Sequence, residues 1–163
     1  MNERKASLIM VGDIVGPPGL RALFALLPSF AKKHSADLLV ANGENAQKGY
    51  GIGKEELDIM LSAGVSAITT GNHVWERKDA MELLDGEQAL LRPANYPASL
   101  SGKGLLHVKG RAFEWVVINL QGREGLYAID CPFRTADELV AKARRQHPGA
   151  FVIVDFHAES PEE

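Results

Sequence analysis

The chain has 163 residues, 45% hydrophobic and 24% charged, which is enough for one domain with a real core and too little for two. A formal charge of −3 and an isoelectric point near 6.0 remove any general attraction to polyanions, so no long nucleic-acid groove is expected and bound phosphate needs a local device. The single cysteine, Cys131, excludes an intrachain disulfide and a multi-cysteine zinc cage, and suits a reducing, cytoplasmic setting.

In chain order, "MNERKASLIMVGD" places charges before an apolar run of only about five residues, short of a signal-peptide core or a membrane span. Within it "ASLIMVG" reads as a buried strand. "GLRALFALLPSFAKKH" follows as a helix, with Leu20, Leu23, Phe24 and Leu27 at helical spacing until Pro28 disturbs the pattern. "ADLLVAN" is a second strand, "KEELDIMLSAG" a short helix ending at Gly64, "SAITTG" a third strand, and "ERKDAMELLDG" a helix stopped by Gly86. "LLRPANYPA" is a proline-interrupted loop. "GLLHVKG" and "FEWVVINLQ" then read as a hairpin turned at "GRA". The helix "TADELVAKARRQH" opens with Thr135 and Glu138 in capping-box register, and "AFVIVDFHAES" closes the chain as a fully buried strand.

Strands alternating with helices imply an α/β fold with a largely parallel sheet, whose ligands sit beyond the carboxyl ends of the strands. Polar residues gather at those ends: Asp13 after "LIMVG", Glu44 and Asn45 after "LLVANG", Asn72 and His73 after "AITTG", and His157 after "VIVDF". Singly, Asp13 reads equally as a helix cap, Asn72 as a turn residue beside Gly71, and His157 as a core histidine. Glu44 is harder to explain in that way, because an acid after an apolar strand is neither a typical cap nor a core residue.

Carboxylate, carboxamide and imidazole on one edge form a mixed oxygen and nitrogen set suited to iron(II), manganese(II) or zinc. A carboxylate such as Glu44 is able to bridge two metals that activate water and neutralise a phosphoryl group. If Asn72 takes a ligand role, His73 beside it is left to protonate a leaving alkoxide. The stretch "KGYGIGKEE" is neither a Walker loop nor GxGxxG and reads as a flexible rim loop, with Lys48 or Tyr50 near substrate. Arg92 and Asn95 of "RPANYP" lie on the same edge as candidate substrate-binding residues, and Trp75 and Trp115 read as packing residues.

"GDIVG", "NGENA", "GNHVW", "RPANYP", "INLQGR" and "DFHAE", in this order and spacing, resemble the YmdB-type metallophosphoesterases, a branch of the calcineurin-like superfamily. The resemblance runs from residue 8 to residue 159. It implies a calcineurin-like metallophosphoesterase sandwich with αββα layers over residues 1–163. It also implies a phosphodiesterase with two divalent metal ions (iron, manganese, magnesium or zinc), acting on a small phosphodiester or a 2',3'-cyclic nucleotide. On that pattern Asp13 is a terminal ligand of one metal and Glu44 the bridge, while Asn72 and His157 hold the other metal. Asn45 is an amide close to metal or phosphate, and His73 is the catalytic proton donor.

The family pattern continues into a Gly-Thr-His-Thr-His segment that completes both metals, and no HxH occurs in this chain. The domain is therefore expected to be incomplete at its C-terminus, with weakened metal binding and an uncovered sheet edge. A homo-oligomer or a separate C-terminal segment is then the expected partner, with no membrane association. Two other functions fit the same residues: a catalytically depleted assembly module with a residual metal site, and a one-metal hydrolase of an ester or amide.

Overall fold

The computed structural model describes residues 5–163; residues 1–4, which carry the charged start of the N-terminal segment, lie outside the described residues. In chain order the elements are β1 (Leu8–Val11), α1 (Gly16–His34), β2 (Leu38–Asn42), α2 (Lys54–Ser62), β3 (Ala67–Thr69), a 3₁₀ turn (Asn72–Glu76) and α3 (Ala80–Gly86). They continue with β4 (Leu105–Lys109), β5 (Glu114–Gln121), α4 (Pro132–Gln146) and β6 (Phe151–His157).

The strands form two three-stranded sheets, ordered β1-β2-β3 and β4-β5-β6. The first is parallel throughout; in the second, β4 runs antiparallel to β5 and β6 parallel to it. Because strand side chains alternate between faces, each sheet serves two layers. Leu38 and Val40 of β2 pack with Trp115 and Val117 of β5 between the sheets. Ala41 and Ile68 turn the other way, onto Leu20, Leu23 and Leu27 of α1 and Leu57 and Met60 of α2. Val116, Ile118 and Leu120 lie against the Leu139, Val140 and Ala143 face of α4. The layers are thus α, β, β, α, and β5 is buried from Trp115 to Gln121 because both its faces are covered.

Three local expectations are corrected. Pro28 does not interrupt α1, which begins at Gly16, with prolines in its first turn, and continues to His34; burial of its leucine stripe outweighs one missing hydrogen bond. Helix α4 begins at Pro132 with Cys131 as its cap. Thr135 is therefore already inside the helix, its N–H bonded to Cys131 O at 3.0 Å, because proline is pre-organised for a first helical position. β6 is an edge strand rather than a fully buried one, with Phe151 45% and Val154 40% exposed.

Two polar joints tie the sheets together. At one end the buried Asp37 carboxylate accepts the N–H groups of Ala112 and Phe113 and the indole N–H of Trp115. At the other, fully buried Asn119 of β5 behaves like a short piece of strand. Its Oδ1 accepts the Thr70 N–H at 2.9 Å and its Nδ2 donates to Thr70 O at 2.9 Å. Asn119→Leu would leave both Thr70 groups buried and unpaired, at roughly 1–3 kcal/mol each. Urea denaturation should show a loss of roughly 2–6 kcal/mol; a near-neutral substitution would show that this joint does not hold the sheets.

Candidate active site at the strand ends

The loops after β1, β2 and β3 leave the same end of the parallel sheet, and β6 brings its last residue, His157, beside them. The turn after β2 is fixed twice. Asn42 Oδ1 accepts the Glu44 N–H at 3.0 Å, and the Gly43 N–H bonds to Thr69 O of β3 at 2.9 Å. Glu44 is consequently buried, 3% exposed. One oxygen, Oε1, lies 2.8 Å from His157 Nδ1. The other, Oε2, is buried with no hydrogen-bond partner, a costly state for a carboxylate oxygen unless a cation completes it.

His157 Nε2 lies 2.9 Å from Asn72 Oδ1, so both ring nitrogens face acceptors and the imidazolium is the form that satisfies them. Burial pushes the His157 pKa down, but the hydrogen bond and charge of Glu44, reinforced by Glu159 and Asp155, outweigh it and leave the pKa raised. A second line runs alongside. Asn45 Nδ2 donates to Asp13 Oδ2 at 2.8 Å, and Asn45 Oδ1 lies 2.6 Å from His73 Nδ1. That contact makes Nδ1 the protonated nitrogen of His73 and leaves Nε2 for chemistry. The Tyr50 ring, 64% exposed, sits 5.2 Å from the His73 ring.

Gly71 explains why this loop approaches so closely. A Cβ there would lie 2.2 Å from Glu44 Oε2 and 2.6 Å from His157 Cγ, so only glycine lets the backbone pass. Gly51 in the rim loop has a positive φ of +72°, and a Cβ would meet His73 O at 3.1 Å.

The structure thus brings Asp13, Glu44, Asn45, Asn72, His73 and His157 together, and gives Arg92 and Asn95 another task. Arg92 is 5% exposed, and its guanidinium donates to the carbonyls of Ser101, Pro93, Pro97 and Leu100. Asn95 Nδ2 donates to Gln121 O at 2.7 Å and Asp130 O at 3.0 Å, while its Oδ1 accepts the Gln121 N–H at 3.0 Å. Both side chains are spent on pinning loops, which corrects the substrate-binding expectation. Trp75 packs edge-on against Tyr96 at 5.2 Å, and Trp115 is buried between the sheets. Two residues passed over in the sequence matter: Asn119, and Asp155 of β6, whose Oδ2 is buried without a partner. Burial pushes the Asp155 carboxyl pKa up, against the Thr69 hydrogen bond and the His157 charge. The signal for both was a polar residue inside an apolar strand, "VVINLQ" and "VIVDF".

The family model described as "YmdB-like protein" matches residues 9–163. The chain belongs to the YmdB-like family. A Bacillus subtilis protein named 2',3'-cyclic-nucleotide 2'-phosphodiesterase is 39% identical over 156 residues, covering 96% of this chain and 58% of the relative. The crystal structure of a hypothetical protein from Thermus thermophilus superposes with a TM-score of 0.86 at 33% identity, over 96% of this chain and 59% of that one. A structure described as a novel phosphatase from Mycoplasma pneumoniae gives a TM-score of 0.83 at 29% identity, over 96% and 57%. The YmdB-like chain has the metallophosphoesterase fold, and it spans a little over half the length of these relatives.

The residues at the strand ends fit a divalent cation: a buried carboxylate oxygen without a protein partner, a second carboxylate, amides and imidazoles, with no thiolate. A cation bound here would replace the imidazolium proton as the positive partner of Glu44. In the metal-free chain, NMR should find His157 titrating above its ordinary value of about 6.5, and Glu44→Gln should bring it down. Because the folded pKa is the raised one, the pairing adds stability that is full below about pH 6.5 and lost as pH rises through the raised value. A His157 pKa at or below the ordinary value in the intact chain would contradict the pairing.

Proposed function

We propose that this YmdB-like chain forms the metal-binding edge of a phosphodiesterase acting on small phosphodiesters, 2',3'-cyclic nucleotides among them. The observation that carries the reading is the buried Glu44 carboxylate, one oxygen on His157 and the other unpartnered. Glu44 would bridge two divalent ions, with Asp13 serving one, Asn72 and His157 the other, and Asn45 beside Asp13. When bound, such cations neutralise phosphoryl charge and lower the pKa of a coordinated water. The name of the Bacillus subtilis relative supports the cyclic-nucleotide substrate.

The chain's own residues supply orientation and a proton. Asn45 fixes the His73 ring through Nδ1, so an imidazolium at this position presents its Nε2 proton outward to a leaving alkoxide. A cyclic nucleotide needs that proton, since its leaving oxygen is a ribose alkoxide; a p-nitrophenyl ester does not. His73→Ala should therefore lower turnover of 2',3'-cyclic AMP by about 10²- to 10⁴-fold, spare bis-p-nitrophenyl phosphate much more, and leave metal content unchanged. Asn72→Ala should lower both metal content and turnover. Equal metal loss in the two variants would remove His73 from the proton-donor role.

A second reading, assembly, is favoured by one feature. β1 is an edge strand, and between it and α1 lies an apolar groove of about 770 Å³ lined by Ile9, Val11, Leu23, Leu27 and Phe30. Of its lining, Met10, Leu26 and Phe30 are 42%, 64% and 49% exposed, and such a face drives association in water. We place the protein in the cytoplasm, on its single cysteine; among the described residues no helix is long and apolar enough to cross a membrane. Light scattering at low micromolar concentration should give a mass above the monomer's 17.7 kDa. Leu26→Glu with Phe30→Lys should shift it toward monomer. A monomeric parent chain would remove the assembly reading.

A further inference from the structure

A second cluster of ligand-type side chains stands apart from the strand-end site. His107 of β4, Glu114 of β5 and His147, which follows α4, place one ligand atom each within 4.8 Å of one another, and among the described residues they are the one such group drawn from histidine, cysteine and carboxylates. Strand register explains the first two. His107 pairs with Val116 and Lys109 with Glu114, so His107 and Glu114 are diagonal neighbours on one face of the hairpin. Their side chains meet at 3.1 Å, His107 Nε2 to Glu114 Oε2. α4 crosses that same face. Its end is capped by His147, whose N–H bonds to Ala143 O at 2.8 Å while its carbonyl accepts the Ala150 N–H at 3.0 Å. This turn sets the His147 ring flat on the His107 ring, centroids 3.8 Å apart and planes 15° from parallel.

The cluster lies at the start of β5, where Glu114 is the first residue, whereas His157 pairs with Gln121 at its end. Seven residues of strand separate them, roughly 20 Å, so the two groups do not share a cation.

We propose that His107, Glu114 and His147 form a separate site for a borderline divalent cation, zinc above all. Two neutral imidazoles and one carboxylate are a three-ligand set of the kind zinc takes, with a remaining position for water. An all-oxygen cation such as magnesium is poorly served by two imidazoles. Stacked rings do not both aim lone pairs at one point, so binding tilts them out of parallel. A bound ion ties the β4–β5 hairpin to the α4–β6 turn.

The test is zinc titration of the full chain in a Glu44→Gln, His157→Gln background, which disables the strand-end site. One zinc per chain should bind, unaffected by millimolar magnesium, and should raise Tm. Adding His107→Ala or His147→Ala should weaken it at least about tenfold, the scale on which loss even of a residue that only supports a ligand acts. In the unsubstituted chain, saturating zinc should also move the ring resonances of His107 and His147, a readout that depends on no variant folding. Affinity unchanged by both histidine substitutions, or ring resonances that stay in place at saturating zinc, would reduce the cluster to a stacked histidine pair with one carboxylate contact.

Discussion

The site depends on one buried amide. Asn119 pairs with both backbone groups of Thr70, and Thr70 is the residue from which Gly71, Asn72 and His73 depart. The contact holds the second sheet against the first, and it sets the height at which the Gly71 loop passes over Glu44 and His157. A Cβ at residue 71 would lie 2.2 Å from Glu44 Oε2, so the loop has little room, and a shift at Thr70 is carried into the adjoining Asn72–His157 contact. Fold and site geometry are therefore coupled through Asn119, a side chain outside the strand-end set. The Asp37 joint at the far end supplies the second fixed point, so that the two sheets do not slide.

Electrostatics then divides the strand-end residues into two lines. Glu44, His157 and Asn72 form a chain of acceptor, double donor and acceptor; Asp13, Asn45 and His73 form another with a neutral amide at its centre. The first line buries a carboxylate of which only one oxygen meets a donor, which makes a cation the natural completion of the other. The second is more open, with Asp13 exposed, and it orients a histidine without fixing its outer nitrogen. In the proposed function, binding of positive charge and delivery of a proton fall to different residues of the same edge.

Much of this was legible in the sequence because it is local. Short apolar runs each followed by one polar residue marked Asp13, Glu44, Asn72 and His157 as strand-end groups, and the sheet rule placed them together. What the sequence did not disclose depends on partners far away in the chain. Arg92 looked like a substrate ligand, but its acceptors are carbonyls of a loop that must fold back to reach it. Asn119 is a polar residue within an apolar strand, and only its pairing with Thr70, 49 residues away, shows why an amide stands there. The apolar run of β6 reads as buried, yet whether a strand is flanked on one side or two is a property of sheet order, which local pattern does not carry. Pro28 is a similar case: the local rule predicts a break, and the packing of α1 decides otherwise.

The central claim is that the unpartnered oxygen of Glu44 exists to hold a cation. Anomalous diffraction from crystals of the chain grown with manganese tests it directly. A manganese peak is expected within direct coordination reach of Glu44 Oε2, absent in Glu44→Gln. Manganese density elsewhere on the strand edge with Glu44 Oε2 bonded only to water or protein, or a peak that persists undiminished in Glu44→Gln, would contradict it.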